Sequence, residues 1–395
     1  MELEYSSQIY LDYNATTPCK ESVVKEMLPY FNKHFGNASS SHHPFGWLAK
    51  DALDESKNMI SKTLGISQKE FIFTSGSTES INSVLKGLYK KNKSTRNHII
   101  TSKAEHKAVL DVCEFLEKEG AKVTYLDVTS DGLIDIKQLE SELSKDTLVV
   151  SIMFANNETG VIEPLDLISQ LCKKNGCLLF SDATQALGKI EMNDFFKQVD
   201  FACFSGHKLY GPKGVGITYI KEKSAVYLDS FIQGGGQQNA LRGGTYNIPA
   251  IIGIAFAIVQ ADQRLIEEKK RLEYLRNLLQ NGLSTIEESI VNGLNVDRLT
   301  NTLNISFKYI DGEILLRSLS TSLAVSNGSA CKSAGVNPSH VLIAMGISPT
   351  LAFSSLRFSL GLYTSKKEIK NTITLVSKEI AKQRESNILW ERREV

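Results

Sequence analysis

The chain has no C-x-x-C pair among its six cysteines, which excludes a zinc ribbon and a thioredoxin-type redox motif. Its seven histidines show no H-E-x-x-H spacing, so the pattern of a zinc hydrolase is missing. No strand-like run leads into G-x-G-x-x-G, and no helix start carries the closing Gly-Lys-Ser/Thr of an NTP cradle. No apolar run reaches the length of a membrane span. The first residues, Met1-Glu2-Leu3-Glu4-Tyr5, show neither a signal-peptide nor an Arg-rich transit pattern. An excess of one charge is missing too. Lysine plus arginine number 45 and aspartate plus glutamate 44, which argues against a surface built to coat nucleic acid. The expectation is a cytoplasmic protein with no membrane and no direct nucleic-acid partner.

What is present is a chain of 395 residues, 42% hydrophobic and 23% charged, with room for two domains. Short apolar runs at 71–73, 98–101, 122–126, 148–154, 177–180, 201–204 and 215–220 read as strands. Amphipathic stretches at 80–89, 106–119 and 165–174 lie between them. This rhythm predicts an α/β fold with a mainly parallel seven-stranded sheet covered on both faces. A long helical pattern follows over 249–282, and its charged segment 264–271 suits a solvated bridge between domains. The remainder alternates strand (301–309), helix (312–319), strand (354–360) and helix (368–382), a smaller α+β unit. The expected division is a large domain over 18–263 and a small one from 1–17 with 264–395.

Lys208 ends an apolar strand in Ser205-Gly206-His207-Lys208. Burying an ammonium is costly, and desolvation would lower its pKa and free the amine as a nucleophile. Asp182 ends another core strand. A lysine and an aspartate so placed are the two protein groups that pyridoxal phosphate needs, one for the Schiff base and one to keep the pyridine nitrogen protonated. Thr74-Ser75-Gly76-Ser77-Thr78 passes from strand to helix start, where free N–H groups, the helix dipole and the hydroxyls of Ser77 and Thr78 suit a phosphate. Ser205 and His207 are further donors. His106, Asn157 and Gln185 also fall at carboxyl ends of predicted strands, where open α/β sheets bind ligands. His106 is placed to stack on a planar cofactor and move protons. The glycine-rich stretches at 233–237 and 241–245 are candidates for approaching a phosphate or are plain flexible loops.

Two residues point to substrate chemistry. Cys331, in Ser329-Ala330-Cys331-Lys332, sits in a small, polar, mobile-looking stretch beside a cation, the setting of a reactive thiol. Cys113, Cys177 and Cys203 lie in helical or strand patterns and read as core. Arg357 is embedded in an apolar strand and wants a carboxylate, either of the protein or of a substrate.

Taken together, these motifs resemble the cysteine desulfurases of the iron–sulfur-cluster and nitrogen-fixation type, within the class V aminotransferase family. The likeness runs from Tyr10-Leu11-Asp12-Tyr13-Asn14-Ala15-Thr16-Thr17-Pro18 to Leu389-Trp390 and includes Glu105-His106-Lys107, Asp182-Ala183-Thr184-Gln185 and Arg357-Phe358-Ser359-Leu360-Gly361. It implies fold type I of the pyridoxal 5'-phosphate enzymes, as a homodimer. It implies Lys208 as the aldehyde-linking lysine, Asp182 at the pyridine nitrogen, Gln185 at the phenolic oxygen and His106 over the ring. Ser77, Thr78, Ser205 and His207 would hold the phosphate, with Thr245 from the other subunit. Asn157 and Arg357 would orient the substrate carboxylate.

The implied reaction turns L-cysteine into L-alanine. Lys208 moves the α-proton, His106 passes protons, and Cys331 takes the sulfur as a persulfide. The implied recipients are an iron–sulfur scaffold protein and other acceptors such as a tRNA-thiolation protein. No resident metal is expected, and a transient shared iron–sulfur ligand role for Cys331 stays open. Ala38 stands where this family usually has proline, Pro44 stands near a usual basic residue, and the chain ends soon after Trp390 where relatives often continue into a scaffold-docking tail. The alternatives are a selenocysteine lyase or another class V enzyme, and a non-catalytic sulfur carrier or assembly adaptor.

Overall fold

The structure, a computed structural model, describes residues 8–327 and 338–391. Twelve strands occur among them: β1 (Ile9–Tyr10), β2 (Phe71–Thr74), β3 (His98–Ser102), β4 (Lys122–Leu126), β5 (Thr147–Ser151), β6 (Leu178–Asp182), β7 (Phe201–Ser205), β8 (Gly216–Ile220), β9 (Ser289–Val291), β10 (Thr302–Phe307), β11 (Leu323–Ala324) and β12 (Ser355–Ser359). Seven form the main sheet in the order β2-β8-β7-β6-β5-β3-β4. Its pairings are parallel from β4 through β7, and β8 runs antiparallel to both β7 and β2. The reversal of β8 leaves β2 pointing the same way as β7, so their carboxyl ends share one edge of the sheet.

Side chains alternate across a strand, and here both faces are apolar. Phe71, Phe73, Ile100, Val150, Leu179, Ala202 and Phe204 face one core with the helices Pro44–Leu64 and Leu165–Asn175. Ile72, Ile99, Val149, Phe180, Phe201 and Cys203 face the other with Ser77–Asn92 and Lys107–Lys118. The result is a three-layer α/β unit. The expected strand at 148–154 is shorter than predicted, because regular pairing stops at Ser151. Ile152 and Phe154 still donate to Phe180 and Asp182 of β6.

The second sheet, β12-β10-β9, is antiparallel and packs with the helices Gly312–Leu319 and Lys366–Glu385. Ile9 and Leu11 join this core, because β1 pairs with β11. One helix, Ile248–Leu283, serves both cores: Ile248 to Ile258 pack in the first, and Leu272, Leu275, Leu279 and Leu283 in the second. Its middle, at 262–270, is mostly solvated, as the charge pattern predicts. Contrary to the sequence reading, this helix contains a window apolar enough to cross a membrane by length and composition. Of that window, 61% is buried inside the protein, and the apolarity is that of a core helix.

Candidate active site

The strand order places the site. Going out from β3, the chain proceeds to β4 on one side, while β5, β6 and β7 follow on the other. Ligands of open α/β sheets bind in the crevice beyond the carboxyl ends at such a switch point. The loops after β3 and β5 flank it, and those after β6, β7 and β2 continue the same rim.

Lys208 closes a 3-10 turn, Gly206–Lys208, directly after β7. Its Nζ donates to the carbonyls of Asn14 (2.6 Å) and Ala15 (2.7 Å). Burial, then the Arg357 charge, lowers its pKa to about 8 against the pull of Asp182 and Asp12. The neighbouring strand ends in Asp182, which is buried; its Oδ1 accepts from the Thr184 amide (3.0 Å) and the Cys203 thiol (3.4 Å). Thr184 in turn meets Ser77 across 2.5 Å of hydroxyl contact.

Ser77 begins the helix Ser77–Asn92, and the residue before it, Gly76, takes φ 152° and ψ −179°, a conformation essentially confined to glycine. That backbone leaves the helix N-terminus open. Ser205 lies buried beside it, since a Cβ on Gly76 would stand 3.5 Å from the Ser205 Oγ. Thr78 is exposed at the same helix start. Thr245 is exposed in a loop that is tied back to this corner. Arg242 pairs with Glu79 at 2.9 and 3.2 Å, and Gln238 bonds both backbone groups of Phe73. His207 turns Nδ1 to Thr16 (3.1 Å), and burial with Lys208 and Lys213 lowers its pKa to about 4.

His106 is the N-cap of Lys107–Lys118; its Nδ1 accepts from the Ala108 amide (3.1 Å), which leaves Nε2 to carry the proton of the neutral ring. The ring is exposed. Beneath it, Glu105 is buried with one carboxylate oxygen accepting from the Met153 amide and the other without a partner among the described residues. Burial and Asp182 raise its pKa well above the usual carboxylate range.

Arg357 lies 6% exposed on β12. Nη2 meets Asp12 at 2.6 Å, Nη1 donates to the Asn157 carbonyl at 3.1 Å, and Nε has no partner among the described residues. Thus the internal carboxylate partner exists, and a buried donor is still left over. Asn157 contributes its backbone here, which also accepts from Asn14 Nδ2. The neighbouring Glu158 accepts from Ser339 at 2.5 Å, and its pKa is pushed up to about 7 by burial. Ser326 pairs its backbone with Arg357. Cys331 lies outside the described residues, between those two anchored serines.

These observations fit a pyridoxal-type cofactor: an amine of lowered pKa, a buried carboxylate one strand away, and a glycine-opened helix terminus. The sequence matches the aminotransferase class-V family over residues 9–372. The chain belongs to this family. It is similar to the cysteine desulfurase IscS of Pasteurella multocida, 47% identical over 97% of this chain and 95% of the relative. Among solved structures it resembles a NifS-like protein (TM-score 0.87, 37% identity, 95% of this chain and 99% of that one). It also resembles SspA in complex with cysteine (TM-score 0.80, 32% identity, 91% and 100%).

Sequence reasoning singled out Lys208, Asp182, Gln185, Ser77, Ser205 and Arg357 and missed residues that hold them. Asn14, Lys189, Asn301 and Thr302 form one hydrogen-bonded cluster with Lys208 and Gln185. A signal existed for Lys189, which follows Gln185 at i+4. None existed for Asn301, which is distant in sequence from the rest.

Proposed function

We propose that this chain is a pyridoxal-phosphate-dependent cysteine desulfurase that supplies sulfur for iron–sulfur cluster assembly. The observation that carries the reading is the Lys208 amine, held by carbonyls at the carboxyl edge of the sheet with Asp182 on the adjacent strand. The cofactor, when bound, supplies an electron sink for the α-carbon of the amino acid. Lys208 would hold it through its aldehyde and is the base placed to move the α-proton. Asp182 would keep the ring nitrogen protonated and Gln185 would face the phenolic oxygen. Ser77, Thr78, Ser205 and His207 would hold the phosphate, with Thr245 from a second copy.

Arg357 and Asn157 orient the substrate carboxylate. The Cys331 thiolate attacks the substrate sulfur: a sulfur–sulfur bond forms and the carbon–sulfur bond breaks. Its electron pair stays with carbon, which a proton relayed by His106 converts to alanine. The persulfide then passes to a scaffold or a tRNA-thiolation protein. We further read 18–263 as the cofactor-binding domain, and 1–17 with 264–395 as the smaller domain that carries Cys331. The apolar exposure of Phe31, Phe35, Phe45 and Trp47 supports a homodimer.

The test is mass spectrometry after exposure of the loaded protein to cysteine. One added sulfur on Cys331 is expected. The Cys331→Ala variant should keep the visible cofactor absorption and gain no sulfur, and Lys208→Ala should lose both. Sulfur retained elsewhere in the Cys331→Ala protein, with normal alanine release, would remove Cys331 from the reaction.

A further inference from the structure

Lys189 is a second, largely enclosed amine beside Lys208, and the reaction above does not use it. Its Nζ donates to the side-chain oxygens of Gln185 (2.6 Å) and Asn14 (3.2 Å). In its protonated form this amine has only donors, so both amides then turn their oxygens towards it. The Gln185 NH2 group then points the other way and gives one hydrogen to the Asn14 carbonyl at 2.9 Å. This is the carbonyl that also accepts from Lys208. A reversed Gln185 amide would set oxygen against the Asn14 carbonyl oxygen and NH2 against the Lys189 amine. Both ends penalise the flip, and the second hydrogen of the NH2 group remains available. The Asn14 oxygen has another donor in Asn301 (3.1 Å). Of the two amides, Gln185 therefore depends more on Lys189.

We propose that Lys189 is a positioning residue: its amine fixes the orientation of the Gln185 amide, so that Gln185 presents a donor, not an acceptor, to the phenolic oxygen of the cofactor. This deepens the function proposed above and rests on it. The amine is held in an electropositive setting. Burial, Lys208 and Arg357 bring its pKa down to about 7, and Arg264 and Glu268 line the same small cavity of about 50 Å³.

The test is the pH titration of the visible absorption of the lysine-linked cofactor in the holoenzyme. Two effects act with one sign. Removing a nearby cation stabilises the protonated link, and losing a donor at the phenolic oxygen does the same, so Lys189→Met should raise the midpoint by about one pH unit. Lys189→Arg should return it most of the way. The shift caused by Lys189→Met should be less than half as large when measured on a Gln185→Ala background. An unchanged midpoint in Lys189→Met, or an equal shift in both backgrounds, overturns the proposal. If Lys189→Met does not fold, Lys189→Gln is measured under the same criteria. A lysine-linked visible band that survives in the Lys208→Ala variant instead overturns the reading of Lys208, and the proposal with it, so the two failures are distinguishable.

Discussion

Lys208 differs from a surface lysine because its amine is held by the Asn14 and Ala15 carbonyls and forms no ion pair among the described residues, and the same burial logic governs the other enclosed ionisable groups. Glu163 accepts from the Ile134 amide, yet burial raises its pKa from 4.5 to about 8. Between those values the folded protein binds a proton that the unfolded chain does not. Glu163 therefore contributes stability that is fully present below pH 4.5 and lost as pH rises through 8. A Glu163→Gln variant should lose less melting temperature than wild type between pH 5 and pH 8.5. Parallel pH profiles would show that Glu163 does not titrate in this range. Lys208 works in the opposite sense: its folded value of about 8 lies below 10.5, so its cost to stability lessens as pH climbs through that interval. Arg357 is tied to Asp12 and Asn157, with Nε left over. Replacing it by Lys should raise KM for cysteine by roughly 10-fold or more, since a forked charge-assisted contact is worth about 1.5–3 kcal/mol. Steady-state kinetics with an unchanged KM would argue against carboxylate binding there.

At the scale of elements, the decisive joint is where β2, β8 and β7 meet. Gly216 opens β8 opposite Thr74 and Ser205. A Cβ there would stand 2.6 Å from the Gly76 Cα and from the Phe204 carbonyl oxygen, both backbone atoms that cannot swing aside. Gly216→Ala should therefore cost about 2 kcal/mol of stability and displace the Gly76 turn. The expected result is a lowered urea midpoint together with weaker binding of pyridoxal phosphate to the apoprotein. A variant with wild-type values on both counts would show that the joint gives way freely. The helix Ile248–Leu283 is a different kind of element. Its two apolar ends belong to separate cores, so its continuity couples the Lys208 edge of the sheet to β10 and β12.

At the scale of the whole molecule, one chain leaves Phe31 63%, Phe35 64% and Trp47 52% exposed. Soluble monomers rarely leave such a group of large apolar side chains in water. Introducing charge with Phe35→Asp and Trp47→Glu should convert a dimer to a monomer in sedimentation velocity. It should also weaken cofactor retention if Thr245 of a second copy completes the phosphate site. A double variant that sediments as wild type would place the contact elsewhere.

The sequence by itself determined the layer pattern and the reactive groups. Alternation on two apolar faces yields a covered parallel sheet from local spacing alone, and a lysine, an aspartate or an arginine at a strand end is visible without neighbours. Only the tertiary structure decided what each group touches. Asn14 meets Lys189 across 175 residues and Asn301 across 287, and Asp12 meets Arg357 because β1 crosses to the second core. Hydrogen bonds and charge pairs act over a few ångströms of space, and sequence separation carries no information about that distance until the chain has folded.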